Sequence, residues 1–257
     1  MPRTARKLCE SSIYHVVLRG VNRRQIFFTE KDHHVFLETV FQKKLKDPFD
    51  LFGYCLMSNH IHLLIHEKEV PISAIMRKIG TSYAMWLNRE YDRCGHVFQG
   101  RFGSECVEDD QYLLTVIRYI HNNPVKSHLV DSTEQYPWSS IHAYLGGREV
   151  IPGLTHVDFI FDNINIDRGR ATREFSDFMK QSNDDQCLDS ETGSRKTDQQ
   201  ALSEMMKITH GMTLENIPSL PMEEQQLILK KICQIEGVTH RQISRMTGIS
   251  RFILDRF

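Results

Sequence analysis

A pair of histidines separated by one residue is the first feature of this sequence that could support chemistry. His60 and His62 alternate with Ile61 and Leu63, a pattern that predicts a β-strand. Side chains two positions apart in a strand point to the same face, so both imidazoles are expected on one side of a sheet. Two imidazoles on one rigid face can bind a divalent metal ion. The alternative is a solvated strand face that happens to contain histidines. His66 shares this face and is interpreted as a neighbour rather than a ligand.

A second motif adds a phenol and an amide. Tyr119 and Asn123 are four residues apart in a segment that predicts a helix, which Asp109 and Asp110 open and Asn123-Pro124 ends. This spacing places both side chains on one helix face. The amide oxygen of Asn123 is a hard donor that could complete a metal site begun by the histidines. Alternatively, Tyr119 packs against the sheet and Asn123 caps the helix before the proline.

The elements that must position these motifs follow from the spacing of apolar residues. Strands are predicted at 13–18, 49–56 and 60–66, with further strand-like residues at 97–107. Helices are predicted at 29–46, 72–91 and 109–122. Residues 181–200 contain few apolar side chains, which indicates a linker.

The C-terminal residues have the pattern of a helix-turn-helix. Helices are predicted at 222–236 and 239–246, and Gly248 supplies a turn before a last helix at 251–257. Arg251 and Arg256 fall on this last helix and favour binding to duplex DNA. The alternative is a small helical bundle used for dimerisation.

Composition excludes several classes of protein. The 257 residues are 40% hydrophobic and 25% charged, enough for the packed core of one large domain or two modest ones. We expect no membrane span and no secretory signal, because no long apolar run occurs and none follows the basic first residues. Six cysteines without a CxxC pair argue against a disulfide framework or a cysteine zinc site, and favour the cytoplasm.

The formal net charge of -1 is unevenly distributed. Residues 1–127 have a net charge of +4, residues 128–200 of -6 and residues 201–257 of +1. This gradient argues against a uniformly basic nucleic-acid coat and is compatible with a local phosphate-binding groove.

Three motifs, in this order and spacing, resemble those of the single-tyrosine HUH transposases, and most closely the REP-associated tyrosine transposases. They are Ser58-Asn59-His60-Ile61-His62, Phe98-Gln99-Gly100-Arg101-Phe102 and Tyr119-Ile120-x-x-Asn123-Pro124-Val125-Lys126. The resemblance covers about residues 10–145. It implies an α+β, ferredoxin-like antiparallel sheet flanked by helices, followed here by the small all-α helix-turn-helix region.

The same resemblance implies a mechanism. His60 and His62 would bind Mg²⁺ or Mn²⁺ with Asn123 as a third ligand, and Tyr119 would attack a phosphodiester of single-stranded DNA beside a hairpin. A 5′-phosphotyrosine intermediate would preserve the bond energy and allow strands to be rejoined. Contacts to DNA are expected from residues that follow the first strand or precede the tyrosine helix: Arg19, Arg23, Arg24, Gln99 and Arg101. Each of these arginines is alternatively an ordinary solvated surface charge.

The predicted organisation has three parts. Residues 1–145 form the catalytic domain, 146–200 an acidic connector and linker, and 201–257 the helical region. The main functional alternative is a domesticated, non-catalytic DNA-binding regulator. A histidine-metal hydrolase of small molecules is disfavoured because no clustered carboxylates accompany the histidines. Monomer and homodimer both stay open.

Overall fold

The computed structural model describes residues 9–181, 185, 187–188, 198–209, 211–235, 238 and 240–254. The chain divides into two compact units, Met1–Ser190 and Glu191–Phe257. Most of the predicted linker and all of Arg256 lie outside the described residues. The domain boundaries proposed from the sequence therefore stay predictions.

The first unit has a four-stranded antiparallel sheet among its described residues. The strands are β1 (Ile13–Arg19), β2 (Asp50–Met57), β3 (His60–His66) and β4 (Gly103–Cys106). The helices are α1 (Glu30–Lys46), α2 (Ile72–Glu90), α3 (Asp110–Lys126), α4 (Ile141–Tyr144), α5 (Asp158–Ile164) and α6 (Arg168–Lys180). The sheet order β2-β3-β1-β4 and the chain order β1-α1-β2-β3-α2-β4 are those of a ferredoxin-like fold, so the predicted fold class is confirmed.

Three helices of this unit, α1, α3 and α6, begin where acidic side chains accept hydrogen bonds from backbone amides. At α1, a carboxylate oxygen of Asp32 accepts from the N–H of Thr29 at 2.9 Å. At α3, Asp109 accepts from the N–H of Tyr112 at 2.7 Å. These amides have no partner within the helix, so the side chains fix where each helix starts.

The predicted end of α3 at Asn123-Pro124 is wrong, because the helix continues to Lys126. Pro124 lacks an N–H and therefore removes one backbone hydrogen bond. The loss falls in the last turn, where the N–H of Ser127 still donates to the Asn123 carbonyl at 2.9 Å. Asn123 is thus a residue of the last helical turn, and it does not cap the helix.

The sheet is buried on both faces, and the two faces differ in chemistry. Towards α1 and α2 the strands present an apolar surface that includes Val16, Leu18 and Ile61. Towards α3 they present a mixed surface in which the fully buried His15 and His62 stand among apolar residues. Successive side chains of a strand point to opposite faces of the sheet. The same strands can therefore bury apolar residues on one face and position histidines on the other.

Part of the predicted connector belongs to the core of the first unit. The ring of Phe175 in α6 stacks on Tyr144 with centroids 4.7 Å apart, and Phe161 in α5 lies 5.5 Å from the same ring. The N–H of His156 donates to the carbonyl of Leu51 in β2 at 2.7 Å. Residues 156–180 therefore pack as structured elements against the sheet side that also carries α3.

The second unit is helical within its described residues. Its helices are α7 (Asp198–Ile208), α8 (Met222–Cys233), α9 (His240–Thr247) and α10 (Arg251–Leu254). They enclose a small apolar core that includes Met205, Leu229 and Ile243. Gly248 has φ +74°, which glycine adopts without strain, and so permits the tight turn before α10. The Arg251 side chain lies outside the described part.

Across both units, the helices that the structure describes are too short or too polar to cross a membrane.

Phe175→Ala should destabilise the first unit by about 3–5 kcal/mol, because it removes a fully buried ring from a packed core. Urea unfolding of the full chain measures this change. Phe159→Ala in α5 is the matched control, since its ring is more than a third exposed and should cost much less. Equal effects of the two substitutions would mean that α6 is not part of the core.

Candidate functional site

Two of the three predicted metal ligands, His60 and His62, and the predicted nucleophile meet on the α3 side of the sheet. His60 and His62 in β3 have ring centroids 5.0 Å apart and nearly perpendicular ring planes. The ring of Tyr119 in α3 lies 5.8 Å from that of His62. His62 is fully buried, whereas His60 is partly exposed and its Nδ1 lies 2.7 Å from the Asn59 amide oxygen.

The two ring nitrogens of His62 have different surroundings. Its Nδ1 lies 3.0 Å from Nε2 of His15, and Nδ1 of His15 lies 2.7 Å from a carboxylate oxygen of Glu105. Nε2 of His62 is buried and has no hydrogen-bond partner among the described residues. An unsatisfied buried nitrogen is costly, and a coordinate bond to a metal ion would satisfy it. The donor set therefore fits a divalent ion.

Burial also sets the protonation of His62. It holds the pKa of His62 well below its usual value, and the neighbouring His15, His60 and Arg19 lower it further by charge repulsion. The imidazole is consequently neutral near pH 7. A neutral ring keeps the lone pair that a metal ion needs.

Asn123 follows Tyr119 by one turn of α3 and is almost fully buried. Its amide nitrogen donates to the Tyr119 carbonyl at 2.9 Å. Because that bond uses the nitrogen, the amide oxygen is the atom of Asn123 that a metal ion would take.

The surroundings of two tyrosines in α3 distinguish them. Tyr119 is buried edge-on against the rings of His15 and His62, and the ammonium of Lys126 lies 5.1 Å from its ring centroid. Tyr112 instead hydrogen-bonds to Glu105, and burial raises the pKa of its phenol. Because burial and the neighbouring Glu105 carboxylate raise the pKa of Tyr112, its phenol keeps its proton.

Sequence reasoning missed two residues of this cluster, His15 and Glu105. The sequence does contain an indication for His15. It lies in a predicted strand, four residues before Arg19, so both side chains are expected on the same face of the sheet. Its contact with His62 depends on the pairing of β1 with β3, in which Val17 lies opposite His62. Glu105 lies opposite His15 in β4, and its sequence neighbourhood gave no sign of that pairing.

The residues expected to contact DNA divide into one partly buried arginine and several exposed residues. Arg19 lies opposite His60 in the β1–β3 register and so shares the site's end of the sheet. The N–H of Gln99 donates to the Arg19 carbonyl at 2.8 Å, which brings two loops together there. The exposed members of these loops are Arg23, Arg24, Gln99 and Arg101.

A short segment after α6 also reaches the site. The carboxylate of Asp185 forms a two-pronged ion pair with Arg118 of α3, at 2.7 and 2.9 Å. The N–H of Leu188 donates to Glu105 at 2.7 Å. Residues beyond the predicted catalytic domain therefore hold the carboxylate that contacts His15.

A second group of atoms that could bind a metal ion lies apart from the histidines. Ligand atoms of Cys9, Cys106 and Glu108 fall within 4.8 Å of one another. Cys106 follows Glu105 in β4 and so faces the opposite side of the sheet. The Cys9 thiol donates to the Ile13 carbonyl at 3.1 Å, and all six cysteines are free. The sequence analysis disfavoured a cysteine metal site, and this cluster contains none of the predicted ligands.

Comparisons with known proteins converge on one family. Residues 9–123 match the family described as "Transposase IS200 like". The chain is 30% identical over 106 residues to "Putative REP-associated tyrosine transposase" of Haemophilus influenzae, covering 37% of this chain and 60% of that protein. It is 23% identical over 152 residues to "REP-associated tyrosine transposase" of Escherichia coli, covering 58% of this chain and 84% of that protein.

The fold has a counterpart among solved structures. A REP-associated tyrosine transposase bound to a REP hairpin superposes with a TM-score of 0.50 at 18% identity, covering 62% of this chain and 96% of the other. At this identity the similarity concerns the fold alone.

Asp185→Ala should destabilise the first unit by about 3–5 kcal/mol, because it leaves the guanidinium of Arg118 buried without its partner. Asp158→Ala is the matched control. Arg168 likewise pairs with a carboxylate and lies over a phenylalanine ring, but that pair is exposed and should contribute at most about 1 kcal/mol. Thermal unfolding of the full chain measures both changes, and similar losses would show that the Arg118 pair is not a buried anchor.

Proposed function

We propose, because residues 9–123 match the IS200-like transposase family, that this protein is a metal-dependent transposase acting on single-stranded DNA. The observation that supports this most directly is the buried, unpartnered Nε2 of His62 beside His60 and the Tyr119 ring. The relatives named above and the hairpin-bound neighbour support a substrate in which a hairpin flanks the single strand.

The proposed cofactor is Mg²⁺ or Mn²⁺, held by His60, His62 and Asn123. When bound, such an ion would neutralise the charge of phosphate oxygens and orient the scissile bond. His62 offers a rigid ligand because its ring is enclosed, whereas His60 faces the partly open side from which DNA would enter. Asn123 offers its oxygen from the helix that also contains the nucleophile.

Tyr119 is the proposed nucleophile. Its phenol oxygen would form a bond to phosphorus as the bond to the 3′-oxygen breaks. The phenol loses its proton, and the leaving oxygen gains one to become a 3′-hydroxyl. The resulting 5′-phosphotyrosine keeps a phosphodiester, so a second hydroxyl can reverse the step and rejoin strands without a nucleotide cofactor.

The proposed DNA contacts lie around the same end of the sheet. Arg19 would reach phosphates nearest the histidines, and the exposed loop residues Arg23, Arg24, Gln99 and Arg101 would track the strand outward. Binding of duplex DNA by the C-terminal helices, through Arg251 and Arg256, stays a prediction from the sequence.

His60→Ala should lower the affinity for Mn²⁺ at least about 100-fold. Substituting a residue that only contacts a metal ligand typically lowers metal affinity about 10–100-fold, and loss of a ligand itself should have a larger effect. Stability should change little because His60 is partly exposed. Isothermal titration calorimetry measures the affinity. His66→Ala is the control, since His66 lies on the same strand face but pairs with Asp50. Mn²⁺ binding unaffected by His60→Ala would exclude the proposed metal site.

Tyr119→Phe should abolish a covalent DNA adduct while binding of Mn²⁺ and DNA persists. The test incubates full-length protein with hairpin-bearing single strands and Mn²⁺, followed by a denaturing gel and mass spectrometry of the modified peptide. Tyr91→Phe is the control, because its phenol pairs with Asp32 of α1, on the other side of the sheet. A phosphotyrosine at Tyr112 would refute the assignment of Tyr119. DNA binding without any adduct would instead favour the non-catalytic regulator.

A further inference from the structure

We infer that His15 and Glu105 are positioning residues that set the tautomer of His62, so that its Nε2 presents a lone pair to the metal ion. The inference rests on the metal site proposed above and assigns the two residues that sequence reasoning missed. It depends on a row of three side chains from the adjacent strands β4, β1 and β3, in which Glu105 lies opposite His15 and His62 lies diagonally across from His15.

The direction of each hydrogen bond in this row follows from the chemistry of Glu105. A carboxylate only accepts, so Nδ1 of His15, at 2.7 Å, must donate. In the neutral form of His15 the single ring proton is then on Nδ1, so Nε2 accepts. Nδ1 of His62, 3.0 Å away, must then donate to it. The remaining nitrogen of His62, Nε2, therefore has no proton and is the unpartnered buried atom.

The carboxylate of Glu105, which sets the directions of these hydrogen bonds, is itself held in place. Its oxygen accepts from the Leu188 N–H at 2.7 Å, and the phenol of Tyr112 also bonds to the carboxylate. Both neighbours donate, so the carboxylate stays an acceptor towards Nδ1 of His15. The opposite tautomer of His62 would bury an N–H without an acceptor and place two acceptor nitrogens face to face. Such outer partners orient metal-binding histidines in many proteins.

Two substitutions of similar size separate positioning from packing. His15→Leu fills the space but cannot accept from His62, whereas the side-chain oxygen of Gln in His15→Gln can. Each variant removes the imidazole and its bond to Glu105, so losses of stability should be similar. The affinity of the full-length protein for Mn²⁺ should fall about 10–100-fold in His15→Leu and be largely restored in His15→Gln. Equal affinities in the two variants would overturn the inference.

Glu105→Met provides a milder test if His15→Leu does not fold, because Glu105 is partly exposed. Without the carboxylate, the proton of His15 is no longer fixed on Nδ1, and the tautomer of His62 is then not fixed either. Mn²⁺ binding should therefore weaken about 10-fold, the lower end of the range for residues that contact a metal ligand. Unchanged Mn²⁺ affinity in this variant would count against the inference.

The tautomer can also be observed without metal. Long-range ¹⁵N–¹H correlations of histidine-labelled protein should show His62 protonated at Nδ1 in the wild type and in His15→Gln, and altered in His15→Leu. Protonation at Nε2 in the wild type would overturn the inference directly. If His60→Ala abolishes Mn²⁺ binding while His15→Leu binds normally, the metal site stands and the positioning role falls. If the wild type binds no Mn²⁺, both fall together.

Discussion

A fully enclosed imidazole is the constraint on which the arrangement of this unit depends. His62 has no contact with solvent, and an unpaired polar group in such a place costs several kcal/mol, about 2–7 by transfer measurements. Among the described residues, the sheet satisfies one nitrogen of this imidazole, through His15. The strand order places β1 between β3 and β4, so that an imidazole and then a carboxylate lie beside His62 in successive strands. A different strand order would separate residues 62, 15 and 105 and leave the imidazole without its chain of partners.

The same constraint explains why one helix contains both the proposed nucleophile and a proposed ligand. Residues of α3 such as Val116 and Ile120 are fully buried against the mixed face of the sheet, which fixes the rotation of the helix. Tyr119 and Asn123 are then directed by the helical repeat and need no further loop to place them. Sites built on packed helices and strands hold their geometry more closely than sites on loops.

Much of this architecture could be predicted from local patterns, because strand alternation and helical spacing are properties of neighbouring residues. The strand at 60–66 and the common face of His60 and His62 follow from period-two alternation, and the observed β3 has those bounds. The ferredoxin-like fold is confirmed, and residues 9–123 match the model of the family that the motifs resemble. The roles of His60, His62, Tyr119 and Asn123 stay predictions. The row through His15 and Glu105 could not be predicted, since it depends on the registers between strands far apart in sequence.

Local patterns misled where tertiary packing outweighed them. Asn123-Pro124 has the form of a helix end, yet α3 continues because a proline in the last turn removes only one hydrogen bond. The acidic composition after residue 145 indicated a connector, but composition does not reveal that a few large apolar residues, Phe161 and Phe175, suffice to anchor two helices. Both rings are fully or almost fully buried. The free energy gained by burying a small number of rings therefore exceeds the effect of many exposed charges on the packing of these helices.

The part of the chain beyond the family match is therefore relevant to the site itself. β4 is a four-residue strand at the edge of the sheet, and its Glu105 side chain is partly exposed. A carboxylate in that position would ordinarily move among rotamers and exchange partners with water. The Leu188 N–H gives it a fixed donor, and the buried pair of Arg118 and Asp185 anchors the segment that contains Leu188 to α3. Asp185 and Leu188 thus contribute rigidity to the row of side chains that ends at His62, although they lie more than sixty residues beyond the last residue of the matched family segment.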